Sequence, residues 1–134
     1  MTNKNKLSPK ERELQVLFNN ARIAGLQAVQ TCTPTPMIVT QHANPLDDSS
    51  AVQKQWFVPS GVCGFAWVVI YPGNSPAANF AKKHLGGRKH YRGGVSIWVS
   101  EFGQSIELKE AYATAYANVL HNSGINAYSD SRLD

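Results

Sequence analysis

The residues most suited to chemistry form a basic segment that runs from Lys82 to Arg92. This segment contains five Lys or Arg residues and no Asp or Glu, whereas the rest of the chain has eight Lys or Arg against nine Asp or Glu. The net charge of +4 therefore originates in this one segment. A concentrated positive patch, unlike an evenly basic surface, indicates an anionic partner.

Glycine pairs flank the centre of the basic segment, at 86–87 and 93–94. Glycine lets backbone amides approach a phosphate, arginine offers a fork of donors, and an aromatic ring can stack on a base. The segment therefore predicts a loop that binds a phosphate-bearing ligand, either nucleic acid or a nucleotide. The predicted binding residues are Lys82, Lys83, Arg88, Lys89, His90, Tyr91 and Arg92. The alternative is a solvated loop in which Lys82 and Lys83 only complement the negative end of a helix.

Two Gly-x-Ser turns form a secondary candidate for anion binding. Asn74 and Ser75 precede one predicted helix, and Gln104 and Ser105 precede another. The free amides at a helix N-terminus bind anions. Helix capping by the two serines nevertheless explains both turns without a ligand.

No motif in the sequence indicates catalysis, and we interpret the chain as a binding protein rather than an enzyme. Cys63 lies in an apolar run and is predicted to be a core residue rather than a nucleophile. The histidines have no metal-ligand spacing, and no CxxC or HExxH motif occurs. We therefore expect no metal and no other cofactor. Cys32 and Cys63 are interpreted as buried free thiols, with a disulfide between them as the alternative.

The elements that position these residues belong to one domain. Residues 1–8 are predicted to be a disordered tail and residues 9–134 a single domain. Ser8 can cap a first helix, with Pro9 at its first position and Glu11 completing a capping box, and this helix is expected to end near Gln30.

Later segments predict strands and further helices. Short strands are expected at 37–40 and 55–58, with an exposed loop at 41–50 between them. The run from Val62 to Tyr71 alternates large and small apolar side chains, which is typical of a central strand covered on both faces. A helix is expected after Ser75, a strand from Val95 to Ser100, a helix after Ser105 and a last strand at 125–129.

The two strand–turn–helix units after residue 61 resemble one another. Two crossover connections in series would place at least some strands parallel. The expected fold class is α+β: a small mixed β-sheet of three to five strands with helices mainly on one face, containing two similar β-α units, preceded by an N-terminal helix.

Several segments resemble a family of small uncharacterised proteins encoded by tailed bacteriophages. The segments are Val62–Val68, Pro72–Ser75, Gly94–Ser100, Lys109–Ala113 and Ser131–Asp134. The resemblance spans roughly residues 31 to 134. It implies an accessory protein in the cytoplasm of the host cell and transfers no catalytic residue. It also implies two roles, contact with nucleic acid or neutralisation of a host defence component.

The basic segment and the resemblance to phage proteins together suggest the expected partners. The leading hypothesis is binding of nucleic acid or a nucleotide through the basic Gly-rich loop. The alternative is an inhibitor or adaptor that binds a host protein through an exposed aromatic or sheet-edge surface. Trp56 and Phe57 on an edge strand could also form the contact of a homo-oligomer. No membrane association is expected, because the longest apolar run is about half of the roughly 20 residues that a membrane helix needs.

Overall fold

The computed structural model describes residues 7–34, 37–42, 52–58, 61–103 and 105–134. Residues 1–6 of the predicted tail, residues 43–50 of the predicted loop, Gln104 and the side chains of Trp56 and Phe57 lie outside the described part. The elements in chain order are α1 (Pro9–Thr31), β1 (Met37–His42), β2 (Val52–Val58), β3 (Gly64–Ile70), α2 (Pro76–His84), β4 (Arg88–Lys89), β5 (Val95–Trp98), α3 (Ile106–Asn122) and β6 (Ala127–Leu133). β1 and β2 pair antiparallel as a sheet of their own.

Helix α1 begins at the predicted capping box. The Ser8 hydroxyl accepts a hydrogen bond from the Glu11 amide at 3.1 Å, and the Glu11 carboxylate accepts one from the Ser8 amide at 3.3 Å. These two bonds satisfy amides that the helix cannot pair internally. The helix ends at Thr31, one residue beyond the expected Gln30.

The second sheet is four-stranded, with the order β4-β5-β3-β6, and it confirms the α+β fold class. Every neighbouring pair in this sheet is antiparallel, so the prediction of a mixed sheet was wrong. No two neighbouring strands are parallel because each helical connection joins two strands that are not adjacent in the sheet. β3 and β4 run in the same direction but have β5 between them, and β5 and β6 run in the same direction with β3 between them.

Each helical crossover in this sheet therefore passes over one inserted strand. The order β-α-β-β-α-β from β3 to β6 is that of the ferredoxin-like, split β-α-β arrangement. The similarity of the two β-α units to one another stays a prediction.

The core lies between the helices and one face of the sheet. The helix-facing side chains of β3 are Ala66, Val68 and Ile70, which pack in one cluster with α1, α2 and α3. The small residues at the start of β3 permit this close packing: a Cβ at Gly64 would lie 2.6 Å from the Ile106 Cδ1 atom of α3.

Helix α3 buries a wide face. Ala115 and Val119 are half-buried. The residues of α3 that the structure buries are Ile106, Lys109, Tyr112, Ala113, Tyr116, Ala117 and Leu120. The face is wide because α3 contacts α1 on one side and both β3 and β6 on another. Among the described residues, no helix has the length and apolar character to cross a bilayer.

Candidate functional site

The basic segment is divided among three elements instead of forming one loop. Lys82 and Lys83 lie in the last turn of α2, while Arg88 and Lys89 form the short strand β4. A tight turn then leads back into β5: the His90 amide donates to the Gly94 carbonyl at 2.9 Å. The basic residues after the helix are therefore held on a hydrogen-bonded β-hairpin, which we call the basic hairpin (residues 88–94).

The glycines of the segment have structural roles in this hairpin. Gly94 has a φ of +84°, and a Cβ there would lie 2.5 Å from the Ile70 carbonyl oxygen of β3. A Cβ at Gly87 would lie 2.7 Å from Val95 Cγ1. Close packing of the chain against β3 and β5, and not approach to a phosphate, therefore accounts for these two positions.

The two lysines of α2 lie away from the basic hairpin. Lys83 Nζ lies 3.4 Å from Glu11 Oε2. Neither Lys82 nor Lys83 is among the residues that line the groove beside the basic hairpin. Both are exposed in the last turn of α2, where a positive charge complements the helix dipole. The structure thus brings Lys89 to Arg92 together and leaves Lys82 and Lys83 with the helices.

The two aromatic residues of the basic hairpin differ in exposure. Tyr91 is 76% exposed, and Arg92 Cζ lies 5.3 Å from the centre of its ring. His90 is only 5% exposed, and its ring lies 6.3 Å from that of Trp67. Of the two rings predicted to stack on a base, only Tyr91 is therefore open to a ligand, while His90 anchors the hairpin to the sheet.

A groove runs between the basic hairpin and the sheet face opposite the helices. It has a volume of about 570 Å³, and its lining includes Trp67, Lys89, Tyr91, Arg92, Trp98 and Arg132. Three basic residues and one acidic residue, Asp130, line it. We call it the sheet-face groove. Its aromatic surface and excess of positive charge suit a ligand with flat rings and negative charge.

Trp67 and Trp98, which line the sheet-face groove, belong to an aromatic cluster. Trp98 stacks on Trp67 with ring centres 4.7 Å apart and an interplanar angle of 28°, and it meets the edge of Phe65 at 5.8 Å. Arg132 Cζ lies 5.4 Å from the Phe65 ring centre and 5.8 Å from the Trp98 ring centre. Strand register explains the cluster, because Trp67 pairs with Trp98 and Phe65 pairs with Arg132.

The sequence does not predict this cluster. Trp67 is buried, whereas Trp98 is 45% exposed. The alternation along β3 does separate Phe65 and Trp67 from Ala66 and Val68. It cannot show which residues of β5 and β6 face them, since that depends on register.

Two buried polar atoms adjoin the groove. Trp67 Nε1 and His90 Nε2 are both buried, and neither has a hydrogen-bond partner among the described residues. An unpaired buried donor or acceptor costs about 1–3 kcal/mol. Such costs are concentrated at functional sites.

Lys109 is a further residue near the cluster that the sequence does not predict. It is buried in α3, and its ammonium group donates to the Gly64 carbonyl at 3.3 Å. The same nitrogen lies 5.5 Å from the centre of the Phe65 ring. Phe65 therefore has one cation near it from α3 and another, Arg132, from β6, which restricts its position beside Trp98.

The Gly-x-Ser turns contain helix caps. Ser75 accepts a hydrogen bond from the Ala78 amide at 3.2 Å, and Ser105 accepts one from the Leu108 amide at 3.4 Å. Ser105 is buried, and the Asn74 carbonyl accepts from the Asn79 side chain at 3.3 Å. Gln104 lies outside the described residues. Capping thus accounts for both serines.

The cysteines are free, but the prediction that both are buried was wrong. Cys63 is exposed and Cys32 is partly exposed. Cys63 precedes the first residue of β3 and forms an isolated bridge with Ser105, so it does not share the burial of the strand. Within the described part of the chain, no group of three or more His, Cys, Asp or Glu residues is arranged to hold a metal ion.

Comparison of the chain with protein-family models, with curated proteins and with solved structures finds no match. The interpretation of the site therefore depends on its geometry and charge.

Proposed function

We propose that this protein binds nucleic acid or a nucleotide without catalysing a reaction, and that the basic hairpin holds the phosphates of the ligand. The observation that supports this function is the set of exposed cations Arg88, Lys89 and Arg92 on one short hairpin. None of the three has an ion-pair partner among the described residues. With the resemblance to small phage proteins as its support, the proposed role is that of a phage accessory protein that acts in the host cytoplasm.

The hairpin has a physical advantage over a flexible loop. Hydrogen bonds between β4 and β5, and the burial of His90, hold its backbone in place before any ligand arrives. A ligand then pays a smaller entropic cost for ordering the binding residues. Neutralising about three phosphates predicts that log K falls with log salt with a slope of roughly −2 to −3.

Fluorescence anisotropy with labelled oligonucleotides and labelled ATP tests the proposal. The variant Arg88→Ala/Lys89→Ala/Arg92→Ala should lose binding of whichever ligand the unchanged protein binds at low salt. The matched control is Lys10→Ala/Arg12→Ala/Arg22→Ala, which removes the same charge from exposed positions of α1 and should retain most of the affinity. Absence of binding at low salt, or binding that survives the hairpin substitutions, would contradict the proposal.

A second candidate function has one observation in its favour. The exposed Trp98 ring lies on the sheet, and β6 is an edge strand. Both features are common where a protein partner binds. An inhibitor or adaptor of a host protein would form a stoichiometric complex with that protein, and the hairpin substitutions would not affect the complex. Loss of the complex in the hairpin variant would contradict this second function.

A further inference from the structure

We infer that the ligand is a single-stranded nucleic acid whose unpaired bases stack on Trp98 in the sheet-face groove, while Arg92 and Arg132 contact its phosphates. This inference depends on the proposed function and names the form of nucleic acid that the site binds. The basic hairpin alone would accept any polyanion. The aromatic face beside the hairpin selects ligands with unpaired bases over other polyanions.

The Trp98 ring is suited to stacking because it is both exposed and fixed. It is 45% exposed, yet it stacks on the buried Trp67 at 4.7 Å and contacts the edge of Phe65. A ring that is already held in place loses little freedom when a base stacks on it. Aromatic side chains on the open face of a four-stranded sheet stack unpaired bases in known RNA-binding domains.

The charges of the groove are arranged around these rings. Arg132 lies close to the Trp98 and Phe65 rings from the β6 side, and Arg92 contacts the Tyr91 ring on the hairpin side. Asp130 is the acidic residue of the groove, and its Oδ1 accepts a hydrogen bond from the Ser131 amide at 2.8 Å. A carboxylate repels phosphate but accepts hydrogen bonds from base amino groups. The groove thus has cations at its two sides and, on the β6 side beside Arg132, a hydrogen-bond acceptor.

The extent of the groove favours an oligonucleotide over a single nucleotide. Lys89 belongs to β4 and Arg132 to β6, at opposite edges of the four-stranded sheet. Three inter-strand spacings separate these edges, which is about 14 Å. More than one phosphate of an extended strand can lie across that span. A duplex does not fit the same description, because its bases are stacked on one another and are not available to Trp98.

The two unpartnered atoms support a ligand at this place independently. Trp67 Nε1 and His90 Nε2 are buried without a partner among the described residues, and the rings that carry them lie 4.7 Å from the Trp98 ring and 4.5 Å from the Tyr91 ring, respectively. A base that stacks on Trp98 would change the surroundings of the Trp67–Trp98 ring pair. We therefore expect binding to change the fluorescence of the Trp67–Trp98 pair.

The experiment compares four labelled probes of equal length at one low salt concentration: single-stranded DNA, the RNA of the same sequence, the DNA duplex and an abasic single strand. The base-bearing single strands should bind about 5- to 100-fold more tightly than the abasic strand. The Trp98→Ala substitution should remove that difference, and Trp98→Phe should keep part of it. Ile23→Ala, at an exposed apolar position of α1, is the matched control and should change nothing.

The outcomes separate the inference from the proposed function. Equal affinity for the base-bearing and abasic strands, with both lost in the hairpin variant, would overturn the inference and leave the proposed function standing. Tighter binding of the duplex, or a base preference that Trp98→Ala leaves intact, would also overturn it. Binding of none of these probes would overturn the inference, and it would contradict the proposed function only if labelled ATP also failed to bind. If Trp98→Ala fails to fold, the inference is tested by comparing the affinities of the unchanged protein for the base-bearing and abasic single strands. The difference in affinity between the DNA and RNA single strands shows whether the protein prefers deoxyribose or ribose.

Discussion

The Glu11 carboxylate lies 3.0 Å from Nε2 of His84, so the first turn of α1 is joined to the last turn of α2. Glu11 also accepts the Ser8 amide and lies 3.4 Å from Lys83 Nζ. The His84 ring lies 4.7 Å from the Phe80 ring of the core. One carboxylate thus caps a helix and joins two helices, and its charged form is favoured by all three partners.

Stability should depend on Glu11 at acidic pH. The hydrogen bond with His84, followed by that with the Ser8 amide, lowers the pKa of Glu11 to about 2. Because the pKa is lower in the folded state than in the unfolded state, the ionised group stabilises the fold above its ordinary pKa. That contribution is lost as the pH falls from about 4.5 towards 2. Urea unfolding at a series of pH values should show a smaller loss of stability over this window in Glu11→Gln.

Glu13→Gln is the control for this effect, because Glu13 is exposed and its nearest cation, Lys10, is 3.9 Å away. It should leave the pH profile of the unchanged protein almost intact. Superimposable profiles for Glu11→Gln and the unchanged protein would refute the role of Glu11.

Gly25 lies where α1 meets α3, and its lack of a side chain is required there. A Cβ at this position would lie 2.6 Å from Cδ2 of the Tyr112 ring, which is itself buried. Alanine is the better helix former by about 1 kcal/mol, but overpacking of a core costs about 1–3 kcal/mol. We expect Gly25→Ala to lower the free energy of unfolding by up to about 2 kcal/mol in urea titrations.

The control for Gly25 is Asn20→Ala at an exposed position of α1, which should be neutral or slightly stabilising. A second test is Gly25→Ala combined with Tyr112→Leu, which removes the ring and should recover part of the loss relative to Tyr112→Leu alone. A Gly25→Ala protein more stable than the unchanged one would show that helix propensity outweighs the contact.

The turn of the basic hairpin offers a comparison between neighbouring glycines. Both Gly93 and Gly94 have positive φ, at +95° and +84°. A Cβ at Gly93 would meet no atom within 4 Å, whereas one at Gly94 would lie 2.5 Å from the Ile70 carbonyl oxygen. Gly93→Ala should therefore cost only the backbone strain, about 1–2 kcal/mol, while Gly94→Ala should cost more.

Thermal unfolding of the two variants measures this difference, and binding assays give its functional consequence. Gly94→Ala should also weaken nucleic-acid binding, because the turn can no longer lie against β3 and hold Arg92 beside the groove. Equal melting temperatures in the two variants would mean that the backbone of β3 moves aside without cost.

The two thiols should differ in reactivity. Cys63 is exposed, whereas Cys32 is partly buried and its sulfur lies 3.9 Å from the Glu107 carbonyl oxygen. With a thiol-specific chromogenic disulfide, the folded protein should show one fast and one slower reaction. Cys63→Ser should remove the fast one and Cys32→Ser the slower one. A fast reaction that persists in Cys63→Ser would reverse the assignment.

Local features of the fold were accessible from the sequence. The caps at Ser8, Ser75 and Ser105 involve hydrogen bonds between residues three apart, so the residue types themselves specify them. The alternation along β3 likewise predicted a central strand, and the structure places β3 between β5 and β6. The concentration of positive charge before β5 is visible in the order of residues along the chain, so it can be recognised without a structure.

The tertiary structure decided which side chains meet. Antiparallel pairing brings Trp98 to Trp67 and Arg132 to Phe65, and these partners are far apart along the chain. A shift of register by one residue would have turned each of them to the other face of the sheet. In the turn between β4 and β5, the fold likewise buries His90 and leaves Tyr91 exposed.

By itself, therefore, the sequence determined the helix caps, the central strand and the position of the excess charge, because these depend on residue type and on neighbours a few positions away. Only the fold determined that Arg88 to Arg92 form a hairpin beside an exposed tryptophan, and that Lys82 and Lys83 remain with the helices. The physical reason is that strand order and register arise from burial of the whole apolar surface at once, which no short segment encodes.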